Sequence, residues 1–237
     1  AGSFGFTRTL VKDILSFPAF SDAHIALMDI NPKRLEASRQ ACEKIKAKGN
    51  YPATITATLN RAEALEGADG VVITILNGGV SVFRTDIEIP KKYGFRQTIG
   101  DTTSIGGIFR TLRTAPVLEA FAEDIQAVCP DAWFINYTNP MSMLSGYLQR
   151  FTGVKTIGLC HSVQICARTL LHELDMDDAY PGCRWEIAGI NHMAWLLRIE
   201  DRDGNDLYPE IKRRAAAYFA GLETHPCDLD QVRLDLM

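Results

Sequence analysis

The chain has 237 residues, 46% of them hydrophobic and 23% charged, with a formal net charge of -4. That is room for one large domain, or one domain plus part of another, with the composition of an ordinary soluble globular protein and no electrostatic footprint for nucleic acid or an anionic membrane surface. The longest uncharged apolar stretch, residues 70–76 with their neighbours, is far too short to cross a bilayer. Six cysteines, at 42, 129, 160, 166, 183 and 227, form no CxxC pair and no dense framework, which favours reduced thiols in a cytoplasm.

Taken in chain order, helix-like and strand-like segments alternate. Residues 4–16 read as a helix with Phe6, Leu10 and Ile14 near one face. HIALMD at 24–29 reads as a buried strand, and Asn31-Pro32 opens a helix to about residue 48, proline sitting just inside a cap. A strand over 53–59, a short helix over 61–65 and the β-branched strand GVVITIL at 70–76 follow. Residues 104–128 are mostly helix after a glycine-rich entry. Strand, helix, strand and helix are then expected at 132–137, 141–151, 154–159 and 163–174. Strands at 184–187 and 194–199 complete the pattern, the second ending at the turn Asp203-Gly204-Asn205. The alternation predicts an α/β fold: a Rossmann-like doubly wound parallel sheet with right-handed crossovers, plus the start of a second α+β domain. Residue 1 is not Met, no strand precedes Ala1-Gly2-Ser3, and residues 229–237 read as a helix stopped mid-pattern. The chain is therefore expected to be truncated at both ends.

Ligands of such sheets bind at the carboxyl ends of the strands. The candidates are Asp29, Asn77-Gly78-Gly79, the segment 136–139, and Cys160-His161, all expected along one edge of one sheet. Ala1-Gly2-Ser3 with Phe4 and Gly5 partly matches a GxGxxG loop, and the strand that follows the next helix ends in Asp29. An acidic residue there can bond a ribose hydroxyl and repel a 2′-phosphate, favouring NAD over NADP. The same residues also read as a glycine turn and a helix cap. Glycines 78 and 79 allow close backbone approach to a ligand, or make a plain turn. GDTTS at 100–104, Gly106-Gly107, Arg110 and Arg113 suit sugar hydroxyls or a carboxylate, or else form a helix N-cap with two solvated arginines. Asn139 precedes Pro140, which holds its backbone extended, and an amide both donates and accepts. Alternatively, the segment is an Asx-Pro helix start. Cys160, His161 and His192 singly read as buried or satisfied structural residues. Brought together, a thiolate and an imidazole with open positions suit a catalytic divalent ion such as Mn²⁺.

The segments AGSFGF, HIALMDINPKRL, GDTTSIGGIFRTLRT, NYTNPMSM, GLCHSVQ and AGINHMAW span nearly the whole chain. Through them the chain closely resembles the NAD- and manganese-dependent glycosidases of glycoside hydrolase family 4, and most of all the α-galactosidase branch. That family stands outside the usual two-carboxylate hydrolysis. The resemblance implies that Cys160 and His192 ligate Mn²⁺, that Asn139 contacts the sugar, and that His161 is the catalytic residue assisting departure of the glycosidic oxygen. It implies that Ala1, Gly2, Ser3, Phe4, Asp29 and Asn77 hold NAD. The family's catalytic base, a Tyr or Asp, lies farther along than Met237. The implied reaction hydrolyses α-galactosides by NAD-mediated C3 oxidation, C2 deprotonation and elimination, water addition and re-reduction.

Residues 1–188 are expected to form the NAD-binding domain and 189–237 to begin the substrate- and metal-binding domain. A small-molecule glycoside is the expected substrate, with no nucleic acid or membrane partner, in a cytoplasmic homo-oligomer (dimer or tetramer). An α-glucosidase or α-galacturonidase of the same family is the nearest alternative. A lactate/malate-type dehydrogenase, kept open by Arg110 and Arg113, and a non-enzymatic nucleotide-sensing module are the more distant ones.

Overall fold

The structure, a computed structural model, describes residues 3–96 and 102–221. Ala1, Gly2, Gly100, Asp101, Cys227 and the helix expected at 229–237 lie outside the described residues. The chain divides into two compact units, Ala1–Leu159 and Cys160–Met237. Among the described residues no helix is long and apolar enough to cross a membrane.

The first unit opens with α1 (Phe4–Ser16), β1 (His24–Met28) and α2 (Pro32–Gly49). Pro32 sits in the first turn of α2, and the Asn31 side chain accepts the backbone N–H groups of Lys33 and Arg34. That cap satisfies two donors a helix start leaves open. Asn50, at φ 52°, closes the other end in the left-handed conformation. Next come β2 (Thr54–Thr58), α3 (Arg61–Leu65) and β3 (Gly70–Ile73). The ladder of β3 stops three residues before the apolar run does, because the Ile75 N–H turns to the Thr138 hydroxyl instead of a neighbouring strand. A helix the sequence pattern does not predict, α4 (Gly79–Lys92), follows. Glycines at its start and Pro90 near its end disguise it as loop. The unit ends with α5 (Ile105–Val128), β4 (Trp133–Asn136), α6 (Met141–Phe151) and β5 (Lys155–Gly158).

All strand pairs in this unit are parallel, as the alternation requires. They form two ladders, β1–β2 and β3–β4–β5, rather than the one continuous edge expected. Each ladder covers its own core. Val11, Leu15, Leu27, Leu35, Cys42 and Ile55 pack beneath β1–β2. Leu118, Ile125, Phe134, Leu144 and Leu148, all fully buried, pack beneath β3–β5.

The second unit contains α7 (Ser162–Glu173), the antiparallel hairpin β6 (Arg184–Ile190) and β7 (Met193–Glu200), and α8 (Tyr208–Ala220). Its core joins Ala167, Leu171, Cys183, Ile199 and Ile211. The hairpin strands run longer than the pattern suggested, and only residues 191 and 192 connect them. Gly189 permits this closeness: a Cβ there would lie 2.6 Å from the Ala194 Cα.

Candidate functional site

At the carboxyl end of β1, Asp29 is almost fully buried. Its Oδ1 accepts the Asn31 N–H at 2.8 Å and Arg34 Nη2 at 2.9 Å, and its Oδ2 accepts Arg34 Nε at 2.9 Å. Burial pushes the carboxyl pKa up. The Arg34 and Asn31 hydrogen bonds outweigh it and hold Asp29 below the ordinary carboxylate value. Ser3 sits at the N-cap of α1 without a side-chain cap bond, and no acidic residue occupies the helix's first turn. A helix start of this kind suits an anion such as a pyrophosphate. Phe4 is the first residue of the same helix.

Asn77 is tied into the fold. Its side-chain amide donates to the Arg113 carbonyl at 2.7 Å, and Arg113 Nε returns a bond to the Asn77 carbonyl at 3.2 Å. Arg113 also grips Asp86 on α4 with two bonds, at 3.0 and 2.6 Å. It is thus a structural clamp and neither a solvated cation nor a free carboxylate receptor. Arg110 lies over the Phe83 ring, 5.1 Å from its centroid. Ser104 caps α5 by accepting the Gly107 N–H at 3.0 Å, as a helix-cap reading of that segment requires. The next residue after Asn77 must be glycine for two reasons. Gly78 has φ 85°, and a Cβ there would meet Val82 at 2.9 Å.

At the end of β4, Asn136 is fully buried and accepts the Thr138 N–H at 2.8 Å while donating to the Ser145 hydroxyl at 3.0 Å. The Asn139–Pro140 peptide is cis. Asn139 Oδ1 accepts the Met141 N–H at 3.2 Å, which fixes the side chain at the start of α6 and leaves its NH₂ to donate.

In the second unit, Cys160 and His192 meet despite their distance in sequence: Sγ and Nε2 are 3.4 Å apart. Two ligands of one ion, each roughly 2.0–2.3 Å from it, stand about this far from each other. The donor set of one soft sulfur and one imidazole therefore fits a divalent transition metal. No third His, Cys, Asp or Glu joins them among the described residues. The Ser162 hydroxyl lies 3.0 Å from the same sulfur. Burial pushes the Cys160 thiol up, but Ser162 (side chain and N–H), His192 and the Asn191 side chain bring it down to about 7. A thiol so placed, just ahead of the N-terminus of α7, is biased toward the thiolate relative to a free cysteine. His161 is exposed at the N-cap position of α7. Sequence reasoning passed over Ser162 and Asn191. Their signal was position alone: a hydroxyl two residues after the cysteine at a helix start, and an amide beside the histidine. The Asn191 Oδ1 is buried without a hydrogen-bond partner among the described residues.

Parallel βα repeats, with an acid at the end of the strand after the first helix, define an α/β class of Rossmann-like architecture, and a thiol–imidazole pair stands in the second unit. Residues 1–176 match the family 4 glycosyl hydrolases and residues 187–237 match the C-terminal domain of the same family. The chain belongs to glycosyl hydrolase family 4. It is 50% identical over 216 residues to an alpha-galactosidase of Bacillus subtilis (strain 168), covering 91% of this chain and 49% of that protein. It is 33% identical to an alpha-glucosidase of Erwinia rhapontici, covering 94% and 49%. A 6-phospho-alpha-glucosidase from gut microorganisms, solved in complex with NAD and Mn²⁺, superposes with a TM-score of 0.75 at 23% identity, covering 90% of this chain and 48% of that one. The chain thus spans about half the length of the curated relatives it matches.

Proposed function

We propose that the protein is an α-galactosidase that works through NAD and a divalent metal such as Mn²⁺. The observation that carries this reading is the 3.4 Å approach of Cys160 Sγ to His192 Nε2. The 50% identity to an alpha-galactosidase supports the choice of sugar over the alpha-glucosidase at 33%. The division of roles follows the same reading: residues 1–188 hold the dinucleotide, and 189–237 begin the substrate- and metal-binding domain. The protein acts as a homo-oligomer, and its compartment is a reducing cytoplasm, the latter supported by the unpaired cysteines among the described residues.

In this reading Ser3, Phe4 and the backbone at Ala1 and Gly2 receive the pyrophosphate, Asp29 takes a ribose hydroxyl, and the Asn77 turn borders the cofactor. When bound, NAD supplies hydride removal and return at the sugar C3, and the metal supplies Lewis-acid stabilisation of the neighbouring oxygens. Cys160 and His192 hold that metal. Asn139, with Oδ1 committed to Met141, offers its NH₂ to a sugar hydroxyl. His161, exposed beside the ligand, carries a proton for the departing glycosidic oxygen. The dehydrogenase alternative loses one of its two candidate carboxylate receptors, since Arg113 is committed to Asp86.

The test is hydrolysis of a nitrophenyl α-galactoside by the full-length protein with NAD⁺ and Mn²⁺, then with each omitted. Loss of activity on either omission, without net NADH, is the expected result. Turnover that ignores both overturns the reading. Cys160→Ser is expected to abolish Mn²⁺ binding, and unchanged affinity would remove Cys160 from the site.

A further inference from the structure

Asp29 is not a lone negative charge. Arg34 holds it through two hydrogen bonds, so the pair at the end of β1 is neutral overall. A carboxylate offers roughly four acceptor positions. Three are taken, two on Oδ1 by Asn31 and Arg34 and one on Oδ2 by Arg34. One position on Oδ2 is left, enough for a single ribose hydroxyl. Arg34 is engaged only through Nε and Nη2, and Nη1 has no partner among the described residues. Its side chain is 46% exposed against 2% for Asp29. Beside them Ile30 exposes 84% of its surface, an apolar face at the same strand end.

We propose that Arg34 is a latent 2′-phosphate receptor held in check by Asp29, and that the pair, not Asp29 alone, sets the choice between NAD and NADP. The proposal rests on the dinucleotide reading above. The 2′-hydroxyl of NAD meets the open acceptor on Oδ2. A 2′-phosphate at that place meets the carboxylate as a like charge and the spare N–H groups of Arg34 as a charge-assisted partner. Wild-type discrimination is the difference between the two. Removing the Asp29 charge leaves the guanidinium free to grip the phosphate. Removing Arg34 leaves Asp29 uncompensated and deepens the exclusion. The two substitutions therefore shift selectivity in opposite directions, which a general loss of structure does not do.

The experiment measures calorimetric Kd values for NAD⁺ and NADP⁺ with the full-length protein, Asp29→Asn, Arg34→Ala and the double variant. Asn keeps an acceptor for the Asn31 N–H, so the entry to α2 is preserved. Asp29→Asn is expected to tighten NADP⁺ binding at least about tenfold. The double variant is expected to lose that gain, and Arg34→Ala alone to lower the NADP⁺/NAD⁺ affinity ratio. If Asp29→Asn does not fold, Asp29→Ser carries the same expectation. No gain for NADP⁺, a gain that survives in the double variant, or a ratio that rises in Arg34→Ala overturns the proposal while wild-type NAD⁺ binding leaves the dinucleotide reading intact. A wild type that binds neither nucleotide overturns both.

Discussion

Asp29 owes its ionisation to named neighbours, and this makes it sensitive to acid in a definite direction. Its folded pKa lies below the unfolded value of about 3.9 because the Arg34 and Asn31 bonds outweigh burial. A carboxylate depressed in this way contributes stability that is fully present above the unfolded value and is lost as pH falls through the folded one. Asp29→Asn should therefore flatten the acid limb of a stability profile taken by urea midpoints from about pH 6 downward, with little change in shape near neutrality. An unaltered acid limb would refute the account. Asp29 was legible in the sequence because an acid after a strand is a positional signal. Arg34 was not, because a side chain five residues on along a helix start announces itself only when its direction is known. The same holds at Cys160 and His192: both were singled out, yet their meeting depends on a hairpin register that spacing does not encode.

Among the elements, α4 and α5 are fastened by Arg113, which bonds Asp86 twice and exchanges bonds with Asn77. Arg113→Met is expected to cost about 3 kcal/mol, because Asp86, with only 5% of its side chain exposed, loses its bidentate counter-charge. Denaturant unfolding checks this, and a change well under about 1 kcal/mol would show the clamp to be ornamental. The β6–β7 turn carries the opposite balance. His192 has φ 62°, a left-handed conformation that a histidine adopts at a cost of about 1 kcal/mol and glycine does not resist. His192→Gly should raise the melting temperature of the protein and, if His192 is a metal ligand as proposed, eliminate Mn²⁺ binding. A lower melting temperature with metal binding retained would contradict both roles. Strain of this kind gathers at functional positions.

At the scale of the whole molecule, the cores of the two units share no residue. Phe134→Ala, a fully buried ring under β4, is expected to cost about 3–5 kcal/mol. Its effect on hydrogen exchange should fall on residues 3–96 and 102–159 and spare the amides of β6 and β7. Uniform loss of protection across both would show a single cooperative block. The fold class was readable because alternating apolar runs and capped helices are local signals. The split of the parallel strands into two ladders was not, since strand neighbours are fixed by pairing across the chain. The helix Gly79–Lys92 hid behind its glycines and Pro90. The tight joint at residues 191 and 192 also limits how this protein's length can vary. A one-residue slip in a strand pair sends each side chain to the other face, and a two-residue connection has no slack to absorb it. Insertions should be tolerated at the 201–206 loop, where backbone turns are exposed. The ladder already shifts register once, between Glu186 and Ile187, so the constraint falls on the regular stretch nearest the turn: a single residue inserted within 187–190 or 193–196 would aim the imidazole of His192 away from Cys160, and homologous chains are expected to differ there by substitution and not by length.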